Sequence, residues 1–249
     1  MLSRFATLGG LPGDPYWANV SYLLVGNGAN GTTTNIKDSS SNNISTTIFG
    51  NTTIRTTISP PTVTNAGSGT VYFDGASDYL TLPSNSGMEF GSGNFTIEFW
   101  CNVSNSNLYA GLLVRQSTGS FSAGDFNILF NYGSSGNISL SLGDNPTGGA
   151  MITTSGVTIN DSAWHHIAFV RNGSSFNIYV DGVSRGSATF SGSISTSAAT
   201  WYIGSYPGFI GSRDITGYIY DFRVTKGVAR YTANYTPPPF PPTAAMPTY

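Results

Sequence analysis

The segment AWHHIAFVRNGSSFNIYVDGV, residues 163–183, contains both histidines of the chain, His165 and His166. Two imidazole rings that face one substrate could act as general acid and general base. Apolar residues alternate around the pair as they do in a β-strand, where neighbouring side chains point to opposite faces of the sheet. The two rings therefore cannot act on one substrate together, and we interpret both as structural side chains.

Paired carboxyl groups would offer a second chemistry, the hydrolysis of glycosidic bonds. That reaction needs two acids flanking the scissile bond, roughly 5–9 Å apart. The chain contains two glutamates, Glu89 and Glu98, and the run TIEFWCN around Glu98 has no second acid. The sequence also lacks a glycine-rich phosphate loop, a nucleophile elbow and a His/Cys zinc cluster. We therefore predict that the chain is not an enzyme and that Glu98 pairs with an arginine or a turn amide.

Aromatic and charged residues gather in the segment GSYPGFIGSRD, residues 204–214. Glycan-binding sites combine aromatic faces with polar neighbours, and such sites commonly lie on loops. The candidate ligand-binding residues are Tyr206, Phe209, Arg213 and Asp214, with Trp100 and Tyr109 as secondary candidates. The alternative is that these side chains pack against a neighbouring subunit or against the base of their own loop.

Composition limits the partners that the chain can take. Charged residues make up 9% of the sequence, against about 25% in an ordinary globular protein. The net charge is −2 and no basic run is present, which argues against nucleic-acid binding. No apolar run approaches the length of a membrane span, so we expect no membrane insertion. The single cysteine, Cys101, is expected to be a buried apolar residue.

The elements that must position these residues are predicted to be short β-strands. In NFTIEFWCNVS, apolar residues from Phe95 to Val103 occupy every second position. The runs TVYFDG and DYLTLP flank Asp74-Gly75 and predict a hairpin, and Asp181-Gly182 predicts another turn. Because such strands recur at short intervals with no helical period, the fold class is all-β, a sandwich or barrel. We divide the chain into an N-terminal arm (1–16), a sandwich (17–235) and a proline-rich extended tail (236–249).

Four segments carry a family likeness, and they extend over about residues 70–235. TVYFDGASDYLTLP, NFTIEFWCNVS, AWHHIAFVRNGSSFNIYVDGVSRGSA and GYIYDFRVTKGVARYT resemble successive strands of a laminin-G-like, concanavalin A-type lectin/glucanase domain. The resemblance implies an antiparallel two-sheet jelly-roll β-sandwich. The leading piece DPYWANVSYLLVGNGANGTTTNIKDSS resembles the start of such domains in virion proteins of tailed bacteriophages of marine and cyanobacterial type.

The resemblance also bears on catalysis and on metal binding. Glucanases of this fold carry a Glu-x-Asp-x-x-Glu cluster on one strand, which this sequence lacks. Jelly rolls of this type often hold a structural Ca²⁺ through carboxylates and backbone carbonyls. Asp74, Asp78 and Asp221 lie in the family-like segments and are the calcium candidates, although a turn role is sufficient for Asp74. No other cofactor is expected.

The function that follows from the phage-like resemblance is a non-enzymatic virion structural protein. It would decorate the capsid or belong to the tail, would be located in the virion, and would contact major capsid or tail proteins as a homo-oligomer. The alternative is a glycan-binding adhesin that recognises a host surface polysaccharide. A glycoside hydrolase or depolymerase is the weaker alternative, because the paired acids are missing.

Overall fold

The computed structural model describes residues 14–58, 69–116, 121–145 and 151–238. The predicted arm lies almost wholly outside these residues, as does the predicted tail beyond residue 238. Two short 3₁₀ helices, Trp17–Asn19 and Ser86–Met88, accompany the β-strands of the described residues. Within the same ranges, no helix is long and apolar enough to cross a membrane.

Two antiparallel sheets contain the strands. Sheet A is built from β1 (Val20–Gly26), β2 (Ile36–Asp38), β4 (Thr53–Arg55), β5 (Thr70–Asp74), β7 (Phe95–Val103), β12 (Trp164–Asn172), β13 (Ser175–Val180), β14 (Val183–Thr189) and β16 (Thr216–Lys226). Sheet B is built from β3 (Thr47–Phe49), β6 (Tyr79–Leu82), β8 (Ala110–Arg115), β9 (Phe126–Phe130), β10 (Ile138–Leu142), β11 (Ile152–Thr153) and β15 (Trp201–Ile203). The predicted all-β, jelly-roll sandwich is confirmed.

The order of the strands determines which residues form the core. Sheet A runs β14-β13-β12-β7-β16-β1-β2, with β5 also paired to β16 and β4, and sheet B runs β11-β10-β9-β8-β15-β6-β3. In β7, Phe95, Phe99 and Val103 face the core between the sheets, while Glu98 and Trp100 face outward, as the alternation predicts. Each sheet thus has an inner apolar face that packs in the core and an outer face that can carry functional side chains.

The hairpin predicted at Asp74-Gly75 is wrong. Strand β5 pairs with β4 and β16 in sheet A, whereas β6 pairs with β3 and β15 in sheet B. The chain crosses between the sheets here, and at the crossing the buried Asp78 carboxylate accepts hydrogen bonds from the backbone N–H groups of Asp74 (2.9 Å) and Asn51. The turn predicted at Asp181-Gly182 does join two paired strands, β13 and β14.

A buried ion cluster covers the middle of the outer face of sheet A. Strand β16 bulges between Tyr220 and Arg223, so that Asp221, with a φ of 48°, and Arg223 both face outward. The Arg223 guanidinium contacts Asp221 at 2.5 Å and Glu98 at 3.6 Å. The sequence prediction that Glu98 pairs with an arginine is confirmed.

Residues 228–238, here called the C-terminal strap, close over this cluster. The Tyr231 hydroxyl donates to Glu98 Oε2 at 2.6 Å, and the Tyr235 hydroxyl lies 3.0 Å from His166 Nδ1. Arg230 reaches Asp14 at 2.6 Å. The strap therefore covers these outward-facing polar groups and at the same time supplies the hydrogen-bond and charge partners that buried polar groups need.

Charge balance within the cluster sets its response to pH. Burial raises the pKa of Asp221 to about 7 although Arg223 acts to lower it, and the nearby Glu98 charge adds to the rise. Burial also acts to raise the pKa of Glu98, but His166, Arg223 and Arg230 lower it to about 2. Glu98 therefore remains ionised at all ordinary pH values, while Asp221 changes its charge near neutrality.

We expect Asp221→Asn to stabilise the protein at neutral and alkaline pH. An aspartate has a pKa of about 3.9 when unfolded, so the folded state binds the proton more tightly and loses stability as pH rises from about 4 to 7. The asparagine cannot ionise, it tolerates the left-handed backbone, and it leaves Asp14 and Glu98 balanced by Arg223 and Arg230. Melting temperatures from pH 3 to 9 should show a gap between variant and wild type that opens across pH 4–7.

Asp144 provides the matched control for this measurement. Its pKa is lowered, against the effect of burial, by hydrogen bonds from Ser195 and from the Gly124 N–H. Its stabilisation is therefore present above the unfolded pKa and is lost as pH falls through the folded pKa. Asp144→Asn should cost stability at neutral pH, opposite in sign to Asp221→Asn. Equal pH profiles for wild type and Asp221→Asn would contradict the assignment.

Candidate functional site

The loop that follows β15 presents an arginine surrounded by aromatic rings. The Arg213 guanidinium carbon lies 3.7 Å from the centre of the Phe209 ring and 5.2 Å from the centres of the Tyr109 and Tyr206 rings. Tyr206 and Phe209 meet edge to face at 5.6 Å. The structure thus brings together four of the six predicted ligand-binding residues in one arrangement, in which cation–π contacts fix the guanidinium.

Asp214 holds this loop in place rather than facing a ligand. Its carboxylate is buried and accepts hydrogen bonds from the backbone N–H groups of Ser77 (2.7 Å) and Gly211 (2.8 Å) and from the Ser205 hydroxyl. The loop is also tied to sheet B, because the Gly111 N–H donates to the Arg213 carbonyl at 3.0 Å. Asp214 is therefore a positioning residue.

The opposite wall of the site comes from the start of β8 and the end of β9. Tyr109 has a φ of 59°, a strained conformation for a non-glycine residue, and its N–H donates to the Asn131 carbonyl at 3.2 Å. Its ring meets that of Tyr132 edge to face at 5.3 Å. Tyr109, Tyr132, Tyr206, Phe209 and Arg213 together are here called the Arg213 surface.

Solvent reaches one side of the Arg213 surface. Phe209 is 46% exposed and its neighbour Ile210 is 41% exposed, while Leu108, next to Tyr109, is 47% exposed. Tyr206 is buried, and burial raises the pKa of its hydroxyl, which bonds to Gln116. A fixed guanidinium beside an open aromatic face can bind a ligand that has both apolar C–H groups and hydrogen-bond acceptors.

Sequence reasoning missed the aromatic side chains that continue this surface across sheet B. Phe49 stacks on Tyr79 with ring centres 4.5 Å apart, and Tyr79 lies 5.7 Å from Tyr202. Tyr202 also packs against the small apolar cluster that includes Tyr206. The alternation in TWYIGSY, where Trp201 and Ile203 are buried, was the signal that could have placed Tyr202 on the outer face.

The remaining candidates lie elsewhere. Trp100 is on the outer face of sheet A, where it packs with Tyr220 and Trp164, so it does not join the Arg213 surface. His165 and His166 face opposite sides of β12, as predicted. His165 bonds to Asp181 at 2.7 Å, and this contact, opposed by burial, raises its pKa.

The three calcium candidates do not form one site. Asp74 and Asp78 lie at the crossing between the sheets, whereas Asp221 is in the ion cluster with Arg223. Among the described residues, no group of three or more His, Cys, Asp or Glu side chains is arranged to hold a metal ion. A bound calcium stays a prediction from the family resemblance.

Two of the solved structures that share the fold are binding domains. The binding domain of Paraclostridial Mosquitocidal Protein 1 matches with a TM-score of 0.63 and 17% identity, covering 86% of this chain and 50% of the toxin domain. The botulinum neurotoxin serotype G binding domain gives 0.58 and 14%, covering 84% and 48%. The chain thus spans about half the length of these toxin domains.

A third structure matches over nearly its whole length. Domain 4 of AbnA, a GH43 extracellular arabinanase from Geobacillus stearothermophilus that was solved in complex with arabinotriose, gives a TM-score of 0.62 and 15% identity, covering 92% of this chain and 97% of that domain. At these identities the likeness establishes the fold alone.

Sequence comparison identifies the family. No curated protein sequence matches the chain. The profile of the laminin G family described as the concanavalin A-like lectin/glucanases superfamily matches residues 74–230, more than half of the chain. This match agrees with the two-sheet architecture and with the strand segments that carry the resemblance in the sequence, and the chain therefore belongs to the concanavalin A-like lectin/glucanase superfamily.

Proposed function

We propose that the protein is a carbohydrate-binding domain and that the Arg213 surface is its binding site. The observation that carries the proposal is the fixed Arg213 guanidinium beside the exposed Phe209 ring. A sugar ring can stack its C–H face on Phe209, while its hydroxyl and ring oxygens accept hydrogen bonds from Arg213.

The fold comparisons support the same choice. Two of the compared structures are binding domains, and the third was solved with a saccharide bound. A virion structural role has no such support and stays a prediction from the sequence. The glycan-binding alternative of the sequence analysis is therefore the function we propose.

The low charge of the site indicates the class of saccharide. Arg213 is the charged side chain that the described part of this surface presents, because the Asp214 carboxylate is buried and occupied by hydrogen bonds. A neutral saccharide, or one with a single acidic group directed at Arg213, is electrostatically compatible with this surface. A densely charged polymer needs several cationic side chains in a row.

Removal of the exposed ring or of the guanidinium should abolish most of the binding. We expect Phe209→Ala and Arg213→Ala each to weaken affinity at least tenfold, equivalent to about 1.4 kcal/mol, for the best ligand found on an array of neutral and acidic glycans that includes arabinotriose. Isothermal titration calorimetry measures the affinity. Arg213→Lys should also lose affinity, because an ammonium group cannot stack on the three rings as a planar guanidinium does.

Tyr16→Ala is the matched control, because Tyr16 is an exposed ring (38%) outside the Arg213 surface. Its affinity should equal that of the wild type. Unchanged saccharide binding by Phe209→Ala and Arg213→Ala, with wild-type melting temperatures, would refute this site. Loss of a homo-oligomer in those variants without any saccharide binding would assign the surface to a subunit interface instead.

The positioning role of Asp214 leads to a separate expectation. Asp214→Ala leaves two backbone N–H groups and one hydroxyl without their acceptor, so the free energy of unfolding should fall by about 3 kcal/mol, and saccharide affinity should fall with it. Asp214→Asn keeps an acceptor oxygen and should recover part of both losses. Urea denaturation together with calorimetry checks this, and equal affinity in Asp214→Ala and wild type would contradict it.

A further inference from the structure

A row of aromatic residues crosses the outer face of sheet A, on the opposite side of the sandwich from the Arg213 surface. Trp164 of β12 is directly opposite Asn102 of β7, which is opposite Tyr218 of β16, which is opposite Tyr72 of β5. All four side chains point outward, because their strand neighbours, such as Cys101, Ile219 and Phe73, are in the core. We call these four residues the sheet A row.

The rings of this row touch one another across the strands. Tyr218 lies 4.9 Å from Tyr72 and 6.5 Å from Trp164, measured between ring centres. The Arg55 guanidinium carbon lies 5.1 Å above the Tyr72 ring and fixes the end of the row. All four residues of the row are partly exposed, in contrast to the buried Trp100 and Tyr220 of the next row along the strands.

We propose that the sheet A row is a second binding surface, which takes a linear, largely uncharged polysaccharide chain laid across the strands. This inference rests on the proposed carbohydrate-binding function and extends it, because two surfaces on opposite sheets would allow one molecule to join two polysaccharide chains. The row contains no residue of the Arg213 surface and none of the ligand-binding residues that were predicted from the sequence.

Size indicates that the occupant is narrow. Three strand spacings of about 4.8 Å make the row about 14 Å long, and two residues along a strand make it about 7 Å wide. The resulting area of about 100 Å² is far below the roughly 800 Å² per partner of a stable protein–protein interface. Toward His166, the next outward residue of β12, the row cannot widen because Tyr235 of the C-terminal strap covers that side chain.

Charge and hydrogen bonding favour a saccharide among narrow occupants. The four side chains carry no formal charge, and Arg55 lies at one end, so a polyanion such as single-stranded nucleic acid lacks the cations that it requires. Asn102 donates one amide hydrogen to the Ser162 carbonyl at 2.8 Å, which fixes the amide. Its oxygen can accept a hydrogen bond from a sugar hydroxyl between two rings that stack on sugar C–H faces.

The test compares the two surfaces in the same protein. Native affinity gels containing linear arabinan, xylan or glucomannan measure retardation of the wild type, of Trp164→Ala/Tyr218→Ala, of Phe209→Ala/Arg213→Ala and of the fourfold variant. For a polysaccharide that retards the wild type, we expect each double variant to lose at least tenfold in affinity and the fourfold variant to migrate as in an empty gel. Trp164→Phe/Tyr218→Phe, which keeps both rings, should retain binding and serves as the folding control.

The outcomes separate this inference from the proposed function. If Trp164→Ala/Tyr218→Ala binds as the wild type does while Phe209→Ala/Arg213→Ala does not bind, the sheet A row is refuted and the Arg213 surface stands. If the reverse pattern is found, the row stands and the Arg213 surface is refuted. Absence of retardation of the wild type in all three gels overturns the row, as does a change of oligomeric state in Trp164→Ala/Tyr218→Ala without a change in retardation.

Bivalency gives an independent readout. A protein with two surfaces should make a dilute solution of the bound polysaccharide turbid at a protein-to-chain ratio near equivalence, because each molecule joins two chains. Either double variant should bind without causing turbidity. Turbidity that persists in Trp164→Ala/Tyr218→Ala would contradict the row as the second surface.

Discussion

The ion cluster around Glu98 is the constraint on which the arrangement of sheet A depends. Glu98 is 2% exposed and Arg223 is 4% exposed, and a buried charge is tolerated only when it is paired and hydrogen-bonded. Tyr231, Arg230 and Asp14 supply the missing partners, and all three lie outside the strands. The sandwich therefore needs the C-terminal strap and the segment around Asp14 as part of its folded structure, although neither segment contributes to the core between the sheets.

The position of the strap in turn decides which part of sheet A can meet a ligand. The strap follows the outward residues of β12 as far as His166, and the sheet A row begins at the next outward residue, Trp164. Sheet B has no equivalent cluster of opposed charges on the outer face of its described strands, and aromatic and aliphatic side chains pack together on that face instead. Both outer faces thus carry an aromatic surface that is partly open to solvent, although the side chains around it are packed differently.

The sequence predicts those features that depend on residues close together in the chain. The alternation in β7 and β12, the turn at Asp181-Gly182 and the loop from Tyr206 to Asp214 are all readable locally. The turn signal at Asp74-Gly75 gave a wrong hairpin prediction. A local pattern cannot distinguish two strands that pair with each other from two consecutive strands that belong to different sheets. Tyr109 and Arg213 are 104 positions apart, and Tyr72 and Tyr218 are 146 apart, so their contacts follow only from the strand order that tertiary packing sets.

Several of the few charged residues in this chain are buried, which bears on recognition. Arg115, Arg171 and Arg223 are buried, and Arg171 is used to bind the carbonyl oxygens of turns, among them those of Gly91 and Gly192. Because these arginines make their contacts inside the protein, the surface exerts little long-range electrostatic attraction on a charged partner. Under the proposed carbohydrate-binding function, recognition at the outer faces then depends on ring stacking and on hydrogen bonds at contact distance, which suits neutral saccharides.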